Sequence, residues 1–160
     1  MFIYSIRASL LKLFAVGLLT VGVLAGFALG GAPAAQAASG GGISFSGIKT
    51  NEDRLAFLKN AGLTVEQEPI EEESFVMPEN FDRVMIGYNE IQRAQGLDLS
   101  KYKKRKVTRY TYLVKDYDAP DGYDGAVYAN LLVYRNKIIA ADISSADPEG
   151  FVRPMVASFS

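Results

Sequence analysis

The stretch Ala126-Val127-Tyr128-Ala129-Asn130-Leu131-Leu132-Val133-Tyr134, then Arg135-Asn136-Lys137, then Ile138-Ile139-Ala140-Ala141-Asp142-Ile143-Ser144-Ser145 decides the fold. Two runs of β-branched, aromatic and aliphatic residues flank three polar turn-formers, the pattern of an antiparallel hairpin. Val107 to Tyr117 has the same composition, and Asp118-Ala119-Pro120-Asp121-Gly122 turns the chain before the hairpin. A three-strand antiparallel meander follows from this. Asp147-Pro148-Glu149-Gly150 ends it, and Phe151, Val152, Met155, Val156 and Phe159 are available to cover an edge.

Side-chain parity assigns the faces. With Val127, Ala129, Leu131 and Val133 on the core side, a three-residue turn at 135–137 brings Ile139, Ala141 and Ile143 beside them. Tyr110, Tyr112 and Val114 complete that face. The opposite face then carries Arg109, Thr111, Tyr128, Asn130 and Asp142, with Thr111, Asn130 and Asp142 in one row across the strands. A two-residue turn would undo the row. Its functional reading is a solvent-facing polar platform, with Asn130 and Asp142 bonding a ligand and Tyr128 stacking on it. The competing reading is a solvated sheet face with cross-strand hydrogen bonds.

Upstream of the meander the chain reads as two helices and a short strand. Thr50 with Asp53 is a capping box, Leu55, Leu58 and Ala61 make one apolar face, and Gly62 stands at the exit. Leu63 to Ile70 alternates apolar and charged residues as far as Pro69, which predicts a short strand near an edge. The second helix is expected from Pro78 to Gly96. Phe81, Val84, Met85, Tyr88 and Ile91 form its apolar stripe, while Arg83, Asn89, Glu90, Gln92 and Arg93 fall on the other side.

Ahead of these elements, residues 13–38 carry no charge, follow Arg7 and Lys12, and end in Ala35-Gln36-Ala37-Ala38. A positive start, an apolar run and a small-x-small exit are the parts of a secretory signal, with cleavage expected after Ala37. The alternative is an uncleaved anchor through residues 13–30, because about 18 apolar residues can span a bilayer. Either places the remainder outside. Residues 38–49, rich in Gly and Ser, read as a flexible linker, and residues 50–160 as a single domain.

Composition narrows the chemistry further. The 160-residue chain has no cysteine and no histidine, so disulfides, a thiol nucleophile, a lipid-modified cysteine and the usual neutral-pH base are all excluded. A net charge of −1 gives no bulk field favouring nucleic acid. Asp116, Asp118, Asp121 and Asp124 suggest calcium, but Val127 stands where an EF-hand needs its last glutamate. They read as a hairpin turn. Lys101, Lys103, Lys104, Arg105 and Lys106 form a basic run that fits anionic lipid, a cell-wall polymer or, more simply, water. Glu66, Glu68, Glu71, Glu72 and Glu73 are its acidic counterpart.

At Tyr88-Asn89-Glu90-Ile91-Gln92, Gln95-Gly96-Leu97-Asp98-Leu99, Tyr102, Arg109-Tyr110-Thr111-Tyr112 and Ala129-Asn130-Leu131-Leu132-Val133-Tyr134 the chain resembles a known family. It is an uncharacterised domain family of unknown function, found in exported or membrane-anchored proteins of Gram-positive anaerobes. The resemblance runs from about Asn51 to Phe151 and implies no activity, ligand or catalytic residue. In that family glycine is usual near Lys104 and before Asp142, where this chain has Lys104, Ala140 and Ala141.

The expected fold is α+β, two helices on one face of an approximately four-stranded antiparallel sheet. The expected function is a non-enzymatic extracytoplasmic binding or accessory module of the cell envelope, without cofactor or metal, whose partner is an envelope polymer or a protein. Two alternatives stand beside it. One is a hydrolase using carboxylates, with Asp142 and one of Glu71 to Glu73. The other is an inhibitor or partner-docking domain that uses the open sheet face.

Overall fold

The strands of the meander are the widest part of a six-stranded sheet in the computed structural model, which describes residues 42–119 and 122–156. In chain order the elements are α1 (Asn51–Asn60), β1 (Thr64–Val65), β2 (Glu71–Val76), α2 (Arg83–Arg93), a 3-10 turn (Leu99–Tyr102), β3 (Lys106–Lys115), β4 (Val127–Tyr134), β5 (Lys137–Ser145) and β6 (Val152–Pro154). All pairings are antiparallel. β1 and β2 lie end to end along one edge of β3, and β4, β5 and β6 follow on its other side. The architecture is therefore α+β, with six strands where four were expected. Of the strand expected over 63–70 only Thr64–Val65 forms, and pairing with β3 restarts beyond Pro69, which has no N–H to give a ladder, in a strand at Glu71–Val76 that was not expected. The expected export segment lies outside the described residues, as does Asp121.

α1 begins and ends as its sequence requires. Thr50 Oγ1 accepts from the Asp53 N–H at 3.2 Å while Asp53 Oδ2 accepts from the Thr50 N–H at 2.9 Å. At the exit Gly62 has φ +84°, and the Gly62 and Leu63 N–H groups return to Lys59 and Leu58 carbonyls. α2 leaves by the same pair of bonds, around Gly96 at φ +80°. Its start differs from expectation. Met77 is fully buried and its backbone is held by Arg105 and Lys104, so Pro78 still belongs to the sheet side of the connection. Asp82 is the N-cap, its Oδ1 accepting from the Met85 N–H at 2.8 Å. Asp82→Ala is thus expected to lower stability by about 1 kcal/mol, a capping loss measurable as a shift in urea midpoint. A change indistinguishable from zero would mean another group caps the helix.

The hairpin between β4 and β5 reaches the predicted pairing by another route. Arg135 and Asn136, both with positive φ, form a two-residue turn with Tyr134 opposite Lys137. Alone, that turn would invert the register of β5. A bulge restores it, since Val133 pairs with Ile138 and Leu132 with Ala140, leaving Ile139 as the extra residue. Beyond the bulge Leu131 faces Ala141, Asn130 faces Asp142 and Ala129 faces Ile143.

The helices pack on opposite faces of the sheet, not on one. Phe57 and Leu58 of α1 share a core with Tyr112, Ala129, Leu131, Ala141 and Ile143. Tyr88 and Ile91 of α2 share a second with Val107, Leu132, Ile139, Ala140 and Val152. The second face is covered because α2 brings polar side chains that match the polar row beneath it. A further correction concerns the linker. Its residues Ile43, Phe45 and Ile48 pack against the first core, and the Ile138 N–H donates to the Phe45 carbonyl at 2.8 Å. Those apolar side chains gain more from burial than the surrounding glycines and serines lose in freedom.

Candidate functional site

Thr111, Asn130 and Asp142 do form one row across β3, β4 and β5, paired residue to residue. Thr111 Oγ1 donates to Asn130 Oδ1 at 2.9 Å. Asn130 Nδ2 donates to Asp142 Oδ2 at 2.9 Å and to Ser144 Oγ at 3.0 Å. The row is not a solvent-facing platform. Thr111, Asn130 and Arg109 are buried, and Asp142 is 0% exposed. α2 lies over it, and Tyr88 Oη donates to Asp142 Oδ1 at 2.6 Å. Tyr128 lies on the same face one pair further along, opposite Leu113 and Ser144, and is only partly buried.

Arg109 is one step along β3 from Thr111 and is also buried, yet its charge is matched. Its Nη2 donates to Glu71 Oε2 at 3.2 Å and to Glu73 Oε2 at 3.0 Å, both on β2. Alternation along β2 puts these two carboxylates on the face of Arg109 and turns Glu72 to the other. The acidic run therefore neutralises a buried arginine of the same sheet, while the basic run of 101–106 stays exposed apart from Tyr102.

The electrostatics of the row follow from its burial. Loss of water pushes the Asp142 carboxyl up to about 6, against the donors Tyr88 and Asn130 and the positive charge of Arg109, which hold it down. Burial, followed by the charge of Asp142, pushes the Tyr88 phenol well above its ordinary value. A phenol and a carboxyl at 2.6 Å in a dry site form a strong hydrogen bond. With neither side chain open to solvent, the pair clamps α2 to β5 and presents no reacting group to a substrate.

Two glutamines complete the clamp. Gln92 Oε1 accepts from the Ala141 N–H at 2.9 Å, and Gln95 Nε2 donates to the Ala141 carbonyl at 2.8 Å. Gln95 Oε1 accepts from the N–H groups of Met155 and Val156 at 2.9 and 2.8 Å. The outer edge of β5 is thus covered in three pieces: the bridge at Ser46, the two amides at Ala141, and β6 over 142–144. Asn89, expected to face water, is buried as well. It donates to Asp98 Oδ1 at 3.0 Å and accepts from the Leu99 N–H at 2.7 Å, fixing the 3-10 turn to α2. Sequence reasoning missed Tyr88, Asn89, Gln92 and Gln95 as parts of the cluster. The available signal was Ile138-Ile139-Ala140-Ala141 and Leu131-Leu132, apolar on both parities, which is how a strand covered on both faces reads.

The fold and the sealed row define a small α+β domain in which an antiparallel sheet is sandwiched between a helix on each face. Over residues 57–143 the chain matches a domain of unknown function (DUF4830), and it belongs to that family. No curated protein and no solved structure matches it.

Proposed function

We propose that the chain is an exported, non-enzymatic binding or accessory module of the cell envelope. The observation that carries its non-enzymatic part is the state of Asp142, the carboxylate a hydrolytic reading depends on. It is fully buried, with both oxygens engaged by Tyr88 and Asn130. Of the other acids of that reading, Glu71 and Glu73 are held by Arg109, and Glu72 points to the opposite face of the sheet from Asp142. A general acid or base must reach the proton it moves, and fully buried Asp142 does not. A partner is met elsewhere than on the sheet, whose second face is under α2. The row Arg109, Thr111, Asn130 and Asp142 then serves binding by holding the surface elements in place.

Export rests on the charge pattern of the N-terminal residues: Arg7 and Lys12, the uncharged run, and the Ala35-Gln36-Ala37 exit. Origin in a Gram-positive anaerobe belongs to the same proposal. Among the described residues no helix is long and apolar enough to cross a membrane. Mass spectrometry of the protein from fractionated cells is expected to find Ala38 as its N-terminus. An intact Met1 terminus in the membrane fraction would establish the anchored form, and a soluble cytoplasmic protein would end the export reading. The hydrolase would return if wild type cleaved envelope material and a folded Asp142→Asn variant did not.

A further inference from the structure

The basic run lies on the exposed connection between the 3-10 turn and β3. Lys101, Lys103, Lys104, Arg105 and Lys106 are all exposed, and among the described residues only Lys104 is in an ion pair, with Glu79 at 2.6 Å. From Glu79 to Lys106 the chain has seven cations against four acids, in a protein whose net charge is −1. Three of those acids, Glu79, Glu90 and Asp98, have partners at Lys104, Arg93, and Asn89 with Ser100. The excess charge is therefore positive and accessible.

Apolar groups accompany this charge. Beside the basic connection an open cleft of about 360 Å³ runs between α2 and the 3-10 turn, lined in part by Phe81, Ile86, Arg93, Ser100 and Lys103. Ile86 is 53% exposed although it lies in a helix with a well-covered apolar face. The Lys103 ammonium lies 5.0 Å from the Phe81 ring centroid, so cation and aromatic are presented together. Lys104 holds a left-handed backbone, φ +63°, where glycine would be less strained. A soluble polyanion needs only the cations. Exposed Ile86 and half-buried Phe81, beside Lys103, match a surface that is anionic outside and apolar a few ångströms in, which is the boundary of a lipid bilayer.

We infer that the segment around Lys101–Lys106, with Phe81 and Ile86, is a docking surface for an anionic phospholipid bilayer. The inference draws on the envelope reading only for the membrane it meets. It is tested with full-length protein and vesicles of phosphatidylcholine, alone or mixed with phosphatidylglycerol, separated by flotation. The N-terminal apolar run and Arg7 and Lys12 are common to every variant, so the readout is the change each variant makes in the anionic-to-neutral partition ratio. Lys101→Glu/Lys103→Glu/Arg105→Glu is expected to lower that ratio at least about tenfold, with unchanged thermal melting, and added salt to lower the wild-type ratio. Ile86→Asp is expected to weaken anionic binding as well. An unchanged ratio in the triple variant overturns the inference. So does full competition by soluble polyphosphate combined with wild-type binding by Ile86→Asp, which would identify a polymer site. A cytoplasmic protein with Met1 intact would remove the envelope reading and leave the vesicle result standing, so the two failures are distinguishable.

Discussion

Raising the pH from 4 to 7 is expected to cost the folded domain about 2 kcal/mol through Asp142 alone. In the unfolded chain this carboxyl ionises near its ordinary 3.8, whereas in the folded domain it keeps its proton up to about 6. Between those values the folded state binds more protons than the unfolded state, so stability falls as pH rises. Below the window the contribution is fully present, and above it the loss is complete. Asp98 acts with the opposite sign at lower pH. The hydroxyl of Ser100 and the amide of Asn89 hold its carboxyl at about 2, so its contribution is present above 3.8 and lost as pH falls toward 2. Together these two groups place their combined optimum near pH 4. Urea titrations from pH 3 to 7 measure the curve, and Asp142→Asn should flatten its upper limb. A limb that keeps its slope in that variant would assign the titration to another group.

Leu131→Asp and Leu132→Asp are each expected to unfold the domain. The side chains are adjacent in β4 and point to opposite faces, and both are buried, at 0% and 1% exposure. Leu131 belongs to the core under α1 and Leu132 to the core under α2. An unpaired carboxylate in either costs several kcal/mol, on the order of the 5–15 kcal/mol that holds a small domain together. The pair discriminates between architectures. On a sheet covered on one face, one of two adjacent residues would tolerate a charge. A folded Leu132→Asp variant with a near-wild-type melting temperature would contradict the placement of α2.

The elements whose signals are local were legible in the sequence. Thr50 with Asp53, Gly62 and Gly96 specify helix ends through their own backbone and side-chain chemistry, and the three long strands follow from composition and turn residues. The row Thr111–Asn130–Asp142 was also legible, although for an incomplete reason. A three-residue turn was assumed where the chain has two turn residues and a bulge. What sequence could not reveal was burial, because polarity alone does not separate a polar residue facing water from one facing a polar partner. Arg109 looks exposed until Glu71 and Glu73 are brought to it from more than thirty residues away. Asn89 and Gln92 look like the wet side of α2 until Asp98, Leu99 and Ala141 supply their bonds. Such matching is decided by tertiary contacts.

The compensation between the Arg135-Asn136 turn and the extra residue at Ile139 bears on how relatives of this chain are aligned. A homologue with one more residue in its turn and no bulge would carry the same Asn130–Asp142 pair with the same two faces. The two chains would then have the same length from Asn130 to Asp142, so an alignment without a gap would place side chains of opposite facing together in the columns of Ile138 and Ile139. The dependable anchors for such comparisons lie on either side, at Asn130-Leu131 and Ala141-Asp142, where the pairing is the same by either route.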